Sequence, residues 1–126
     1  MLKTKVIVNK IRTLFPKNLS YKLPREIGVV LLKPEESVRL NKIYRNKKEA
    51  TNVLSFNYSP DYGEILICPE IVKKEAKERG NTQAFQMTWM IVHGMIHLAG
   101  LHHESSIYAA QKTPVLERSI LAKLKV

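Results

Sequence analysis

Apolar and β-branched residues fall in short runs separated by proline and glycine, and the spacing within each run predicts its element. Lys5 to Asn9 carries the run Val6-Ile7-Val8 and predicts a first strand. Ile11 to Leu14 predicts a helical turn or two, stopped by Pro16. Glu26 to Lys33, β-branched and set between Pro24 and Pro34, predicts a second strand. Pro34-Glu35-Glu36 then opens a helix, with proline in the first turn and carboxylates at the positive end of the macrodipole. Val38, Leu40, Ile43 and Tyr44 continue it at helical spacing, and the Arg45-Asn46-Lys47-Lys48 run closes it.

Asn52 to Phe56 and Glu64 to Cys68 predict two further strands, joined through the turn from Tyr58 to Gly63. Pro69-Glu70 repeats the helix-start signature, and Gly80 ends that helix as a C-cap. Thr82 to Ala99 is a long apolar helix that Gly100 stops. A last helix is expected from Pro114 to Leu124, with the proline at its start because an interior proline removes a hydrogen bond. The order β, α, β, α, β, β, α, α, α predicts an α/β (α+β) fold. Residues 1–126 form a single domain in this reading, with a small mixed sheet of about four strands packed with about five helices.

The chain has 126 residues, of ordinary globular composition, with 44% hydrophobic and 25% charged residues. Its single cysteine, Cys68, excludes an intrachain disulfide framework and suits a reducing compartment. The N-terminal run Val6-Ile7-Val8 falls far short of the ~7–15 residues of a signal-peptide core. Gly80 to Leu101 carries no Asp, Glu, Lys or Arg, but Asn81, Thr82, Gln83, Gln86, Thr88, His93 and His97 interrupt it, so it reads as a buried helix and not a membrane span. A cytoplasmic protein without a membrane association is expected.

Twenty-one Lys+Arg against 11 Asp+Glu give a formal net charge of +10. No Lys or Arg lies between Gly80 and Gln111. A neutral centre flanked by positive segments suits chemistry on an anion held by its surroundings, and phosphate polymers are the obvious candidates.

All four histidines lie in that neutral centre: His93, His97, His102 and His103. His93 and His97 are i and i+4 on a helix, on one face and one turn apart, so two imidazoles can reach one ion. Continued helix would carry residue 103 ~15 Å along the axis and out of reach. Gly100 can take a positive φ, end the helix and let the chain turn back. The resulting pattern, H-x-x-x-H-x-x-G-x-x-H on His93, His97, Gly100 and His103, offers three neutral nitrogen ligands with a fourth position for water, the arrangement of catalytic zinc. His102 is a fourth ligand, a partner of a ligand or a surface residue; nickel, cobalt and iron also suit three histidines. The metzincin proteases use the same ligand spacing but need a Glu directly after the first histidine, and here that position is Gly94.

The segment His93-Gly-Met-Ile-His-Leu-Ala-Gly-Leu-His-His103 resembles the HGxxHLxGxDH signature of the YbeY family of bacterial rRNA maturation factors and single-strand-specific endoribonucleases. Asn41-Lys-Ile-Tyr-Arg-Asn46 with Thr51-Asn-Val-Leu-Ser-Phe56 is similar to that family's N-x-x-Y-R and TDVLSF segments, and Gly63-Glu-Ile-Leu-Ile67 to its GDIxI strand. The resemblance implies an α/β sandwich-like fold, zinc on His93, His97 and His103, and a role in 16S rRNA 3′-end maturation and ribosome quality control. It also implies single-stranded RNA and the ribosome as partners, and Arg45 as an active-site arginine. A guanidinium suits that position because it clamps a phosphoryl group through paired hydrogen bonds. Asn52, Glu64 and His102 stand where the family has aspartates.

With zinc in place, either hydroxide or the RNA's own 2′-OH would attack the phosphodiester while Arg45, Lys47 and Lys48 hold it. Glu64 and Glu104 are the acids available as general base. Thr51 and Ser55 are candidates for positioning a phosphate or for capping, and Tyr44, Tyr58 and Tyr62 for stacking bases. The alternative is a non-catalytic RNA-binding assembly factor whose zinc only stabilises the fold, and a third class is a small metallohydrolase acting on peptides or esters.

Overall fold

The computed structural model describes residues 4–44, 53–100 and 107–124. Helix α1 spans Thr4–Leu14 and α2 spans Lys17–Ser20; strand β1, Glu26–Leu31, and helix α3, Pro34–Tyr44, follow. Strands β2, Val53–Ser59, and β3, Tyr62–Ile67, then precede helices α4, Pro69–Arg79, α5, Gln83–Leu98, and α6, Ile107–Leu124. The described residues thus form a mixed α+β domain with three strands and six helices in place of the expected four and five.

The difference lies at the N-terminus. The run Val6-Ile7-Val8 belongs to α1, not to a strand. Val8, Ile11 and Phe15 are buried, with Ile7 and Leu14 packed beside them. Those positions recur at three and four residues, so the wider window has the helical period and overrides the local β-branched preference. α1 ends at Leu14, before Pro16, as expected. A second difference is Pro114, which sits inside α6 and not at its start. Its missing N–H costs one bond of the ladder. Thr113, Leu116, Glu117 and Ile120, buried on one face, keep the helix packed on both sides of the proline.

The sheet is mixed, as expected, in the order β1-β3-β2. β3 is central, parallel to β1 with Val29 opposite Ile65, and antiparallel to β2 with Ser55 opposite Ile65. Alternation along the strands gives two faces. One carries Ile27, Val29, Val53, Ile65 and Ile67 into the main core with α1, α4, α5 and α6. The other carries Leu32, Leu54 and Leu66, with Val30, Phe56 and Leu40 of α3 packed on them.

α5 is the central helix. Thr82 caps its start, its hydroxyl accepting from the Phe85 N–H at 3.0 Å. Met90, Ile91, Val92, Met95, Ile96 and Leu98 are buried, so the helix is apolar on most sides, as a helix in a core must be. No described helix is long and apolar enough to cross a membrane.

Candidate active site

β2 ties α5 to the sheet at its C-terminal turns. The Ser55 hydroxyl donates to the Gly94 carbonyl at 3.1 Å, and the Asn57 amide donates to the Leu98 carbonyl at 3.1 Å. Asn57 therefore satisfies one of the carbonyls that a helix end leaves without an intrahelical partner. Gly100 adopts the positive φ that the sequence predicts, 94°, and its N–H donates to the His97 carbonyl at 2.9 Å. The helix stops where the histidine pattern requires it to stop.

His93 and His97 stand side by side on this last stretch, with ring centroids 4.4 Å apart and an interplanar angle of 48°. His97 is buried at 4% exposure, whereas the His93 side chain keeps 22%. One imidazole is thus held in the core and the other opens to solvent. Glu117, buried on α6, holds Nδ1 of His93 with a carboxylate oxygen. An N–H on Nδ1 donating to that carboxylate leaves Nε2 with its lone pair, the arrangement of a metal-binding histidine and its outer partner.

Sequence reasoning passed over Glu117, which lies 24 residues from His93. A signal was there: Thr113, Leu116, Glu117 and Ile120 share one helical face, so Glu117 is a carboxylate inside a buried stripe, and such a charge needs a partner.

Beside His93 and Glu117 lies a cleft of about 170 Å³, also lined by Glu75, Arg79, Gln86 and Trp89. The guanidinium of Arg79, at the end of α4, stacks over the Trp89 ring at 5.0 Å. Arg79 and Trp89 were likewise not singled out by their sequence positions. They meet because α4 packs along α5.

The two histidines that helical spacing pairs are therefore together. Arg45, Lys47, Lys48, Thr51, Asn52, His102, His103 and Glu104 lie outside the described residues. Among the described residues no group of three His, Cys, Asp or Glu could hold a metal ion. The donors that are described fit one nonetheless: two adjacent imidazoles, one fixed by a carboxylate, form two corners of a nitrogen site.

Ser55 serves as a tie between strand and helix. Cys68 is buried at the residue before α4. Glu64 does not join the histidines. It alternates with Ile65, which packs on α5, and so faces the other side of the sheet. There it accepts the hydroxyls of Tyr58 at 2.9 Å and Tyr62 at 2.7 Å. These two rings stack on each other, 5.9 Å apart and 14° from parallel. The hydrogen bond to Glu64 pushes the Tyr62 phenol above its ordinary pKa, with desolvation and the Glu64 charge acting in the same direction.

A small α+β protein with a histidine pair at the end of a buried helix and a carboxylate behind it defines a candidate hydrolase site. The family model described as Endoribonuclease YbeY matches residues 2–125. A protein named Endoribonuclease YbeY from Acinetobacter baumannii is 37% identical over 121 residues, spanning 87% of this chain and 77% of that one. Another of that name from Acidovorax ebreus is 37% identical over 102 residues, 79% of this chain and 67% of its own. The solution structure of TM1509 from Thermotoga maritima shares the fold, with a TM-score of 0.60 at 23% identity over 99% of this chain and 88% of that one. This chain belongs to the endoribonuclease YbeY family.

Proposed function

We propose that this protein is a metal-dependent, single-strand-specific endoribonuclease that acts in the cytoplasm on 16S rRNA 3′-end maturation and ribosome quality control. The observation that carries the reading is the His93–His97 pair with Glu117 on His93. His93, His97 and His103 would hold one divalent ion, zinc by the chemistry of three neutral nitrogens. Such an ion, when bound, supplies Lewis-acid activation of a phosphodiester near neutral pH.

The chain's own groups do the rest. Glu117 keeps the His93 ring in one orientation with its proton on Nδ1. Burial of His97 in the core removes its rotameric freedom. Arg45 is the proposed phosphate clamp, and Arg79 supplies a guanidinium at the cleft. The net charge of +10 favours an RNA strand over a neutral peptide as the molecule drawn to this surface. Gly94, in place of the metzincin glutamate, leaves the peptide-cleaving mechanism without its adjacent base.

The test is cleavage of an end-labelled single-stranded rRNA fragment by the zinc-loaded protein beside a folded His97→Ala variant. Cleavage by the first and not the second supports the reading. Equal cleavage by both, or none by either, overturns it, and the second outcome favours a non-catalytic assembly factor. A 2′,3′-cyclic phosphate on the product would assign the 2′-OH as nucleophile.

A further inference from the structure

We infer that the groove between α5 and α6 beside the histidines is a nucleobase subsite, in which a base of the RNA strand packs on Trp89. Phe85 and Trp89 from α5 line this groove together with Pro114, Glu117, Arg118 and Leu121 from α6. Its volume is about 260 Å³, below the ~300–1,000 Å³ of sites for drug-sized ligands and of the scale of one planar heterocycle. The inference rests on the reading of this protein as acting on RNA, and it adds what the site grips besides phosphate.

Three observations point to a base as the occupant. The groove adjoins the cleft at His93, since Trp89 and Glu117 line both. A strand whose phosphate lies at the histidines therefore has a neighbouring base within reach of the indole. Trp89 is held for stacking: Arg79 lies over its ring at 5.0 Å, and Phe85 packs against it with centroids 6.4 Å apart. An indole backed by a cation and an aromatic ring presents a rigid surface, and base–aromatic stacking tolerates any base because each has a π-face.

The charges also match. Arg118 lines the groove and Arg79 lines the cleft that shares Trp89 with it, so each offers a guanidinium to a phosphate beside the base. Stacking with few hydrogen-bonding partners predicts a preference for unpaired nucleotides with weak discrimination among the four bases.

Trp89 is the chain's single tryptophan, so its emission reports on the groove and the cleft that it lines, and an abasic strand separates base stacking from phosphate binding. The probe is a short single-stranded 2′-O-methyl oligoribonucleotide, compared with the same backbone carrying abasic positions throughout. The base-bearing strand is expected to quench Trp89 and to bind at least about fivefold tighter than the abasic one, the lower end of what one stacked base contributes. In a Trp89→Leu variant, read by anisotropy of the labelled strands, that difference should disappear. Equal affinity of both strands for the wild-type protein, or an emission change common to both, overturns the subsite and leaves phosphate binding alone. Cleavage of rRNA by the same preparation separates the two readings. Cleavage without base-dependent quenching refutes only the subsite, and quenching without cleavage refutes only the nuclease.

Discussion

Gly94 of α5 lies so close to Ile65 of β3 that a Cβ there would stand 2.8 Å from the Ile65 Cγ2 atom. The helix that carries both histidines is seated on the sheet at Gly94, the residue directly after the first of them. Gly94→Ala gains helix propensity of up to ~1 kcal/mol but forces a stiff β-branched side chain aside, an overpacking that costs about 1–3 kcal/mol. A net loss of stability is expected in urea unfolding. In an Ile65→Ala background the same substitution should cost less, and equal costs in the two backgrounds would refute the contact as the cause.

Glu117→Gln removes the charge behind His93 while keeping the shape of the side chain. Loss of such an outer partner lowers metal affinity by about 10–100-fold. Zinc titration against a competing chelator should show that fall, with far-UV circular dichroism unchanged. Unaltered affinity would mean that His93 is not a ligand.

Gly100 tests a different principle. A Cβ there would meet nothing within 4 Å, so space is not what selects glycine. Its φ of 94° is the constraint. Gly100→Ala should destabilise the fold by about 1–2 kcal/mol through backbone strain alone. Thermal unfolding measures it, and a Tm equal to the wild-type value would contradict the assignment.

Tyr62 and Glu64 set a pH dependence on the far face of the sheet. The Tyr62 phenol is raised in the folded state, so the fold holds its proton more tightly than the unfolded chain does. Its contribution to stability is full below the ordinary value near 10 and is lost as the pH rises through the raised one. Absorbance titration near 295 nm should show one tyrosine ionising late in the wild-type protein, and in Glu64→Gln that tyrosine should return to the ordinary range. Superimposable curves would contradict the role of Glu64.

The parts legible in the sequence were those with local causes. Thr82, Gly80 and Gly100 bound α4 and α5 because caps act through neighbouring backbone groups. The His93–His97 pair follows from helical spacing alone. α1 departs from the strand its local sequence predicts because Val6-Ile7-Val8 is a local β signal, whereas the burial of Val8, Ile11 and Phe15 is set by packing against distant elements. Pro114 lies inside α6 for the same reason, since local backbone preference ends a helix that tertiary contacts continue. Glu117, Arg79 and Trp89 reach the site only through helix-on-helix packing, which short-range spacing does not encode.

The seating of α5 has a further consequence. Both imidazoles project from adjacent turns of a rod enclosed by core on most sides and fastened by Ser55 and Asn57 at its far end. Their separation is therefore a property of the whole folded body and changes only if that body melts. One wall of the site is a fixed gauge. Whatever completes it, whether a third donor from beyond Gly100 or a strand entering along Trp89, must adjust to that gauge, so differences in ligand or substrate are absorbed by the partners that come to the helix and never by the helix itself.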